Sequence, residues 1–118
     1  MAENAEMPTV VEIIQVHQEP LTDVQFYAFE RVSEVWDRSQ WYAFNRIVEK
    51  ESGWLETAQN PESTAYGKMQ FLDSTWELVG CEKTSDPYKQ IDCGILYIED
   101  RYSNPQLALD FHLRMGWY

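Results

Sequence analysis

The sequence predicts a mostly α fold, a small helical domain interrupted by one irregular loop or short hairpin. Three observations carry that reading. Apolar residues recur at helical spacing through most of the chain after residue 22. Helix-start residues (Thr22, Asp37, Ser74, Asp86, Asn104) precede the helical segments, and Gly53, Gly80 and Gly116 follow three of them. Between Gly53 and Asp73 the period fails, and Asn60, Pro61, Ser63 and Gly67 mark the interruption.

Each element can be justified in order. Thr9-Val-Val-Glu-Ile-Ile-Gln-Val16 is β-branched and reads as a short strand, ended by Pro20. No second strong strand signal follows, so it either lies as an arm on its own domain or adds to a partner chain as a strand. Thr22 with Gln25 forms a capping-box pattern ahead of Val24, Tyr27, Ala28, Arg31, Val32 and Val35. Asp37 or Ser39 caps the next helix, whose stripe of Trp41, Phe44, Ile47 and Val48 ends near Glu51-Ser-Gly53. Beyond the loop, Ser74 with Glu77 forms a second capping-box pattern, and that short helix stops before Gly80. Asp86-Pro87 reads as N-cap and first-turn proline of a helix through Ile91, Ile95, Leu96 and Ile98 to about Tyr102. Asn104-Pro105 repeats that start for a helix through Leu107, Phe111 and Leu113 that stops at Gly116.

A chain of 118 residues fits one core better than two. With 44% hydrophobic residues, five Trp and seven Tyr, disorder is excluded as a description of the whole. Nine basic against 20 acidic residues give a net charge of −11. That balance speaks against nucleic-acid binding and against electrostatic docking on anionic lipid. No apolar run approaches the ~18 residues of a membrane span. The acidic start lacks the basic and apolar regions of a signal peptide, so no self-export is expected. Residues 1–36 hold seven acids and one base. Charge therefore divides the chain into an acidic N-terminal arm with the first helix (1–36) and a main domain (37–118).

Composition and periodicity stop there, and local sequence goes further. Glu51-Ser-Gly-Trp54, Asn60-Pro-Glu-Ser63 and Ala65-Tyr-Gly-Lys-Met-Gln70, followed by a later helix with Ile95-Leu-Tyr97, form an ordered set. This set resembles the lytic transglycosylase and goose-type lysozyme superfamily. The ending Gly116-Trp-Tyr118 resembles a compact phage and bacterial branch of it. The resemblance covers about residues 37–118 and implies a small lysozyme-like helical domain with the loop or hairpin lining a cleft.

The chemistry of such a site needs a carboxylic acid that can donate a proton near neutral pH. Glu51, in the last turn of an apolar helix, suits it: burial and the negative end of the helix dipole both disfavour its charged form. Gly53 then lets the chain leave the helix. The resemblance implies that this one Glu acts first as acid and then as base, taking a proton from the muramic acid 6-hydroxyl as a 1,6-anhydro ring closes. No second carboxylate is required, unlike the paired-acid hydrolases. Glu62 and Asp73 are the nearest candidates for a partner acid, and Asp73 suits the helix start beside Ser74. Glu49 falls on a different helix face.

The resemblance also implies that Met69, through its backbone, and Gln70 line sugar subsites, and that Tyr97 orients the Glu through its hydroxyl. Ser52 and Ser63 match polar cleft positions. Tyr97 reads equally as a core residue. Trp54, Tyr66 and Trp76 could stack on sugar faces, with core packing the alternative for Trp76. Lys68 stands where the family often has Leu, free to reach solvent or an anionic peptide stem. The Ala-Tyr-Asn-Ala-Gly stretch of larger relatives is replaced by Ala108-Leu-Asp-Phe-His-Leu113.

His17 and His112 have no ligand-spaced companions and read as structural or exposed, so no metal is expected, and no cofactor is implied. Cys81 and Cys93 either form a disulfide tying the turn to the next helix, suited to work outside the cytoplasm, or remain two reduced buried thiols. The expected function is cleavage of the peptidoglycan MurNAc–GlcNAc β-1,4 bond by a lytic transglycosylase, with muramidase-type hydrolysis second. The alternatives are a non-catalytic glycan-binding or structural virion module, and an acidic protein-interaction domain. The expected partner is the peptidoglycan glycan strand, with no nucleic acid. Action is expected in the periplasm or cell wall, with delivery by a phage particle or a lysis system that residues 1–36 would dock.

Overall fold

Residues 20–118 are described by a computed structural model; the expected strand at 9–16 and His17 lie outside them. The first helix, α1 (Asp23–Val35), opens with the expected capping box. Thr22 Oγ1 accepts from the Gln25 amide at 3.2 Å, and Gln25 Oε1 accepts from the Thr22 amide at 3.0 Å. Its apolar face reaches the core, where Ala28 and Val32 have no exposure. The charge step at residue 36 therefore falls inside the packed body. Burial is decided by which face of the helix is apolar, and net charge does not report it.

Asp37 then caps a 3-10 turn, Arg38–Gln40, which runs directly into α2 (Trp41–Ser52). Ala43, Phe44, Ile47 and Val48 of α2 are buried, and Gly53 ends the helix in the left-handed conformation at φ 61°. The α3 helix (Asp73–Val79) is capped differently from the expectation. Its N-cap is Leu72, which has no side-chain acceptor, and Thr64 Oγ1 accepts from the Asp73 amide at 3.0 Å instead. A remote loop residue thus does the work expected of Ser74, because the loop folds back over the helix start.

Helix α4 (Pro87–Tyr102) is the central element, with Gln90, Ile91, Cys93, Gly94, Ile95, Tyr97 and Ile98 all buried. Asp86 caps it by accepting from the amides of Tyr88 and Lys89. Helix α5 (Pro105–Met115) is capped by Asn104, ends at Gly116 and packs chiefly on α2. The start of α5 is pinned to the start of α2, since the Gln106 amide donates to Gln40 Oε1 at 2.9 Å. Tyr27 of α1 donates to Asp92 of α4 at 2.7 Å, tying the first helix to the central one. A disulfide joins Cys81, just after α3, to Cys93 of α4. None of these helices is long and apolar enough to cross a membrane.

The loop between α2 and α3 is the irregular excursion. Two antiparallel bridges, Gln59 with Tyr66 and Tyr66 with Phe71, make a minimal hairpin. Its hub is Gln90, which is 1% exposed. Gln90 Nε2 donates to the carbonyls of Glu56 (2.9 Å) and Thr84 (2.7 Å), and its Oε1 accepts from the Lys68 amide at 3.0 Å. Three backbone groups far apart in sequence are satisfied by one side chain. The fold is thus mostly α and lysozyme-like, with α2, α5 and the loop converging at one end.

Candidate active site

The end of α2 is where the loop and α5 meet. Glu51 sits in the last helical turn with its side chain 18% exposed. Its Oε2 lies 2.7 Å from Nε2 of His112 on α5, whose side chain is 11% exposed. Glu51, Gln70, Leu72, Trp117 and Tyr118 line a cavity of about 310 Å³, within the size range of ligand pockets. Glu51 is the one carboxylate among those lining residues.

Burial pushes the Glu51 carboxyl above the usual glutamate range; hydrogen bonding and charge from His112, with a smaller pull from Lys50, lower it without cancelling the rise. The other acids weighed from sequence stand elsewhere. Glu49 and Glu62 are exposed, Glu49 beside Arg46, and Asp73 pairs with Lys83 at 2.9 Å. A larger cavity of about 500 Å³ lies between α3 and α4, lined by Leu78, Val79, Leu96, Glu99 and Asp100. Both of its acids are exposed, so it holds no buried carboxyl.

Of the other expected site residues, one lines the Glu51 cavity. Gln70 lines it, held at φ 54° while its Nε2 donates to the carbonyls of Ala58 and Gly67, both at 2.9 Å. Met69 is buried behind it, and its carbonyl accepts from the Tyr118 hydroxyl at 3.1 Å. Ser52 donates to the Lys68 carbonyl at 2.7 Å, stapling the helix end to the loop. Ser63 is exposed on the hairpin, and Tyr66 is tied by its hydroxyl to Ser85; neither lines the cavity.

Tyr97 is buried, and its ring packs on Phe71 and Tyr118 with centroids 5.1 and 5.5 Å away. Its hydroxyl is pushed up to about 12, chiefly by burial, and the carboxyl partner of Glu51 is His112 instead. Trp54 donates to Asn45 at 2.8 Å, and Trp76 is a core residue against Phe71.

Lys68 differs from its expectation. It is 3% exposed, with Nζ donating to the Trp54 carbonyl, 3.4 Å from Glu56 and over the Trp54 ring. The ammonium is turned inward because the loop supplies a carbonyl and a carboxylate there, so it does not stand in solvent. Desolvation lowers its proton affinity.

Sequence reasoning missed three residues. His112 stands three and four residues after Leu109 and Ala108, on the buried face of α5, and a polar residue on that stripe was the available signal. Gln90 is likewise polar beside the buried Ile91. Trp117, 49% exposed, carries no periodic signal because it lies past the helix end. Among the described residues no group of three or more His, Cys, Asp or Glu could hold a metal.

A family model described as Transglycosylase SLT domain matches residues 32–109, more than half of the chain. The chain belongs to this family. The match takes in the end of α1 and runs to α5, so this transglycosylase SLT domain includes Glu51, the hairpin, Tyr97 and Leu109. It stops short of His112, Trp117 and Tyr118. Among curated proteins and among solved structures, nothing matches the chain. As an SLT domain it is of the peptidoglycan lytic transglycosylase kind, a family whose place of action is the cell wall.

Proposed function

We propose that this domain cleaves the MurNAc–GlcNAc β-1,4 bond of peptidoglycan with Glu51 as its single acid and base. The observation that carries the reading is a half-buried carboxyl of raised proton affinity, alone among acids in a lined cavity. The protonated Glu51 gives its proton to the glycosidic oxygen as the bond from that oxygen to the muramic anomeric carbon breaks. The GlcNAc side leaves as an alcohol. The muramic 6-hydroxyl oxygen then bonds to the anomeric carbon, and its proton passes to the Glu51 carboxylate. The acid is regenerated and the product is a 1,6-anhydro sugar, with no water consumed.

Gln70, which lines the cavity, is the residue proposed to position the sugar, with Met69 behind it bracing Tyr118 through its carbonyl. Trp117 offers an exposed ring at the cavity rim. Glu51→Gln should abolish the clearing of purified cell walls, and unchanged lysis ends the assignment. Product masses separate the two chemistries, since anhydro ends are lighter by one water than hydrolysed ends. Wall binding without products would instead favour a glycan-binding module.

Delivery to the periplasm or wall by a phage particle or lysis system fits the net charge of −11, which repels an anionic wall at long range. Because α1 belongs to the core, the docking test is deletion of residues 1–19 alone. A pull-down in which the shortened chain still assembles with its carrier removes the idea.

A further inference from the structure

The pairing of Glu51 with a histidine is not required by a mechanism that uses one carboxyl group. His112 Nε2 lies 2.7 Å from Glu51 Oε2, while Nδ1 is buried and has no hydrogen-bond partner among the described residues. The two neutral tautomers are therefore unequal. A proton on Nε2 is used in the hydrogen bond and leaves Nδ1 as an unpaired acceptor. A proton on Nδ1 would bury an unpaired N–H donor, a costlier state. Nε2–H thus donates to Oε2.

This arrangement rules out one role and favours another. An imidazole passes a proton onward only if its second nitrogen reaches another group, and Nδ1 of His112 reaches none. What the bond does achieve is to occupy Oε2. Oε1 of Glu51, on a residue that lines the cavity, takes no hydrogen bond among the described residues.

The imidazole is itself held. The ring of Tyr118 stacks on it with centroids 5.8 Å apart and planes 28° apart, and the Tyr118 hydroxyl is anchored on the Met69 carbonyl at 3.1 Å. Tyr97 meets the Tyr118 ring edge-on at 5.5 Å, so the tyrosine expected to touch the acid supports it at two removes.

We infer that His112 is a positioning residue whose Nε2–H fixes Oε2 of Glu51, leaving Oε1 as the oxygen that exchanges protons with the substrate. This rests on the enzymatic reading above. The tautomer is read directly by ¹⁵N NMR of the imidazole in the full-length chain at pH 7.5, with Nε2 protonated and Nδ1 bare as the expected result. On soluble uncross-linked glycan strands, His112→Ala should lower kcat about 10- to 100-fold, the scale of losing one hydrogen bond to a charged group, with KM little changed. His112→Gln, which keeps an N–H donor without an imidazole, should recover most of that loss.

A proton on Nδ1 in the wild type overturns the inference, as does an alanine variant of unchanged kcat or a glutamine variant no better than alanine. Those failures, on a wild type that cuts, leave the enzymatic reading standing. A wild type that does not cut removes both.

Discussion

Nε2 of His112 and Oε2 of Glu51 meet at 2.7 Å across 61 positions of sequence, at a carboxyl whose burial outweighs the lowering influence of His112 and Lys50. The fold therefore binds a proton at Glu51 more tightly than the unfolded chain does. Such a group stabilises the fold only below its ordinary titration range, and the contribution is lost as pH rises through its raised folded value.

Glu51→Gln, an uncharged isostere, should for that reason melt with wild-type Tm near pH 4 and above it at pH 7. Thermal melts of the two proteins at both pH values check this. A glutamine variant that is less stable at pH 7 than at pH 4, relative to wild type, contradicts the raised proton affinity.

Gly67 should not tolerate a side chain. Its φ is +84°, and a Cβ there would lie 2.6 Å from Nε2 of Gln90, the side chain that organises the loop. Gly67→Ala combines left-handed strain with overpacking and should cost about 2 kcal/mol or more. It should also impair wall clearing, because Gln70 donates to the Gly67 carbonyl. Urea unfolding and a lysis assay read the two effects, and a fully stable variant would show that the hub can yield.

The disulfide between Cys81 and Cys93 closes a loop with 12 residues of separation. Loop-closure entropy for that length gives about 3 kcal/mol. Replacing both cysteines by Ser should lower the urea midpoint accordingly, and reductant should shift the wild type but leave the double variant unchanged. Catalysis at low denaturant should survive, since neither sulfur lines the Glu51 cavity.

Trp117 lines that cavity with half its surface exposed, braced by the Phe111 ring at 4.9 Å and by Arg101 over its face. Trp117→Ala should weaken glycan binding by about 1–2 kcal/mol, an aromatic platform's contribution, with a smaller effect on kcat. Binding of the Glu51→Gln variant to glycan strands, with and without the Trp117 change, measures it cleanly.

Legibility of the site followed the range of the interactions. Glu51 and Gly53 are readable because helix end, apolar stripe and acid are adjacent in sequence. The Asp86-Pro87 and Asn104-Pro105 starts are readable for the same reason, since a cap and the amides it satisfies lie within three residues. Where a remote group supplied the partner, local reading failed. Thr64 capped α3 in place of Ser74, and the carbonyl of Trp54 drew Lys68 inward.

The sequence by itself determined the helices, their ends apart from the start of α3, the place of the irregular loop and the carboxyl at the end of α2, because these depend on periodicity and on neighbours within a turn. Only the tertiary structure decided which groups face that carboxyl. His112 and Tyr118 come from α5 and the segment after it, brought to the end of α2 by the packing of α5, and no local pattern encodes an approach across such distances. The same packing placed α1 in the core despite its acidic charge, since burial follows the apolar face of a helix and not its formal charge.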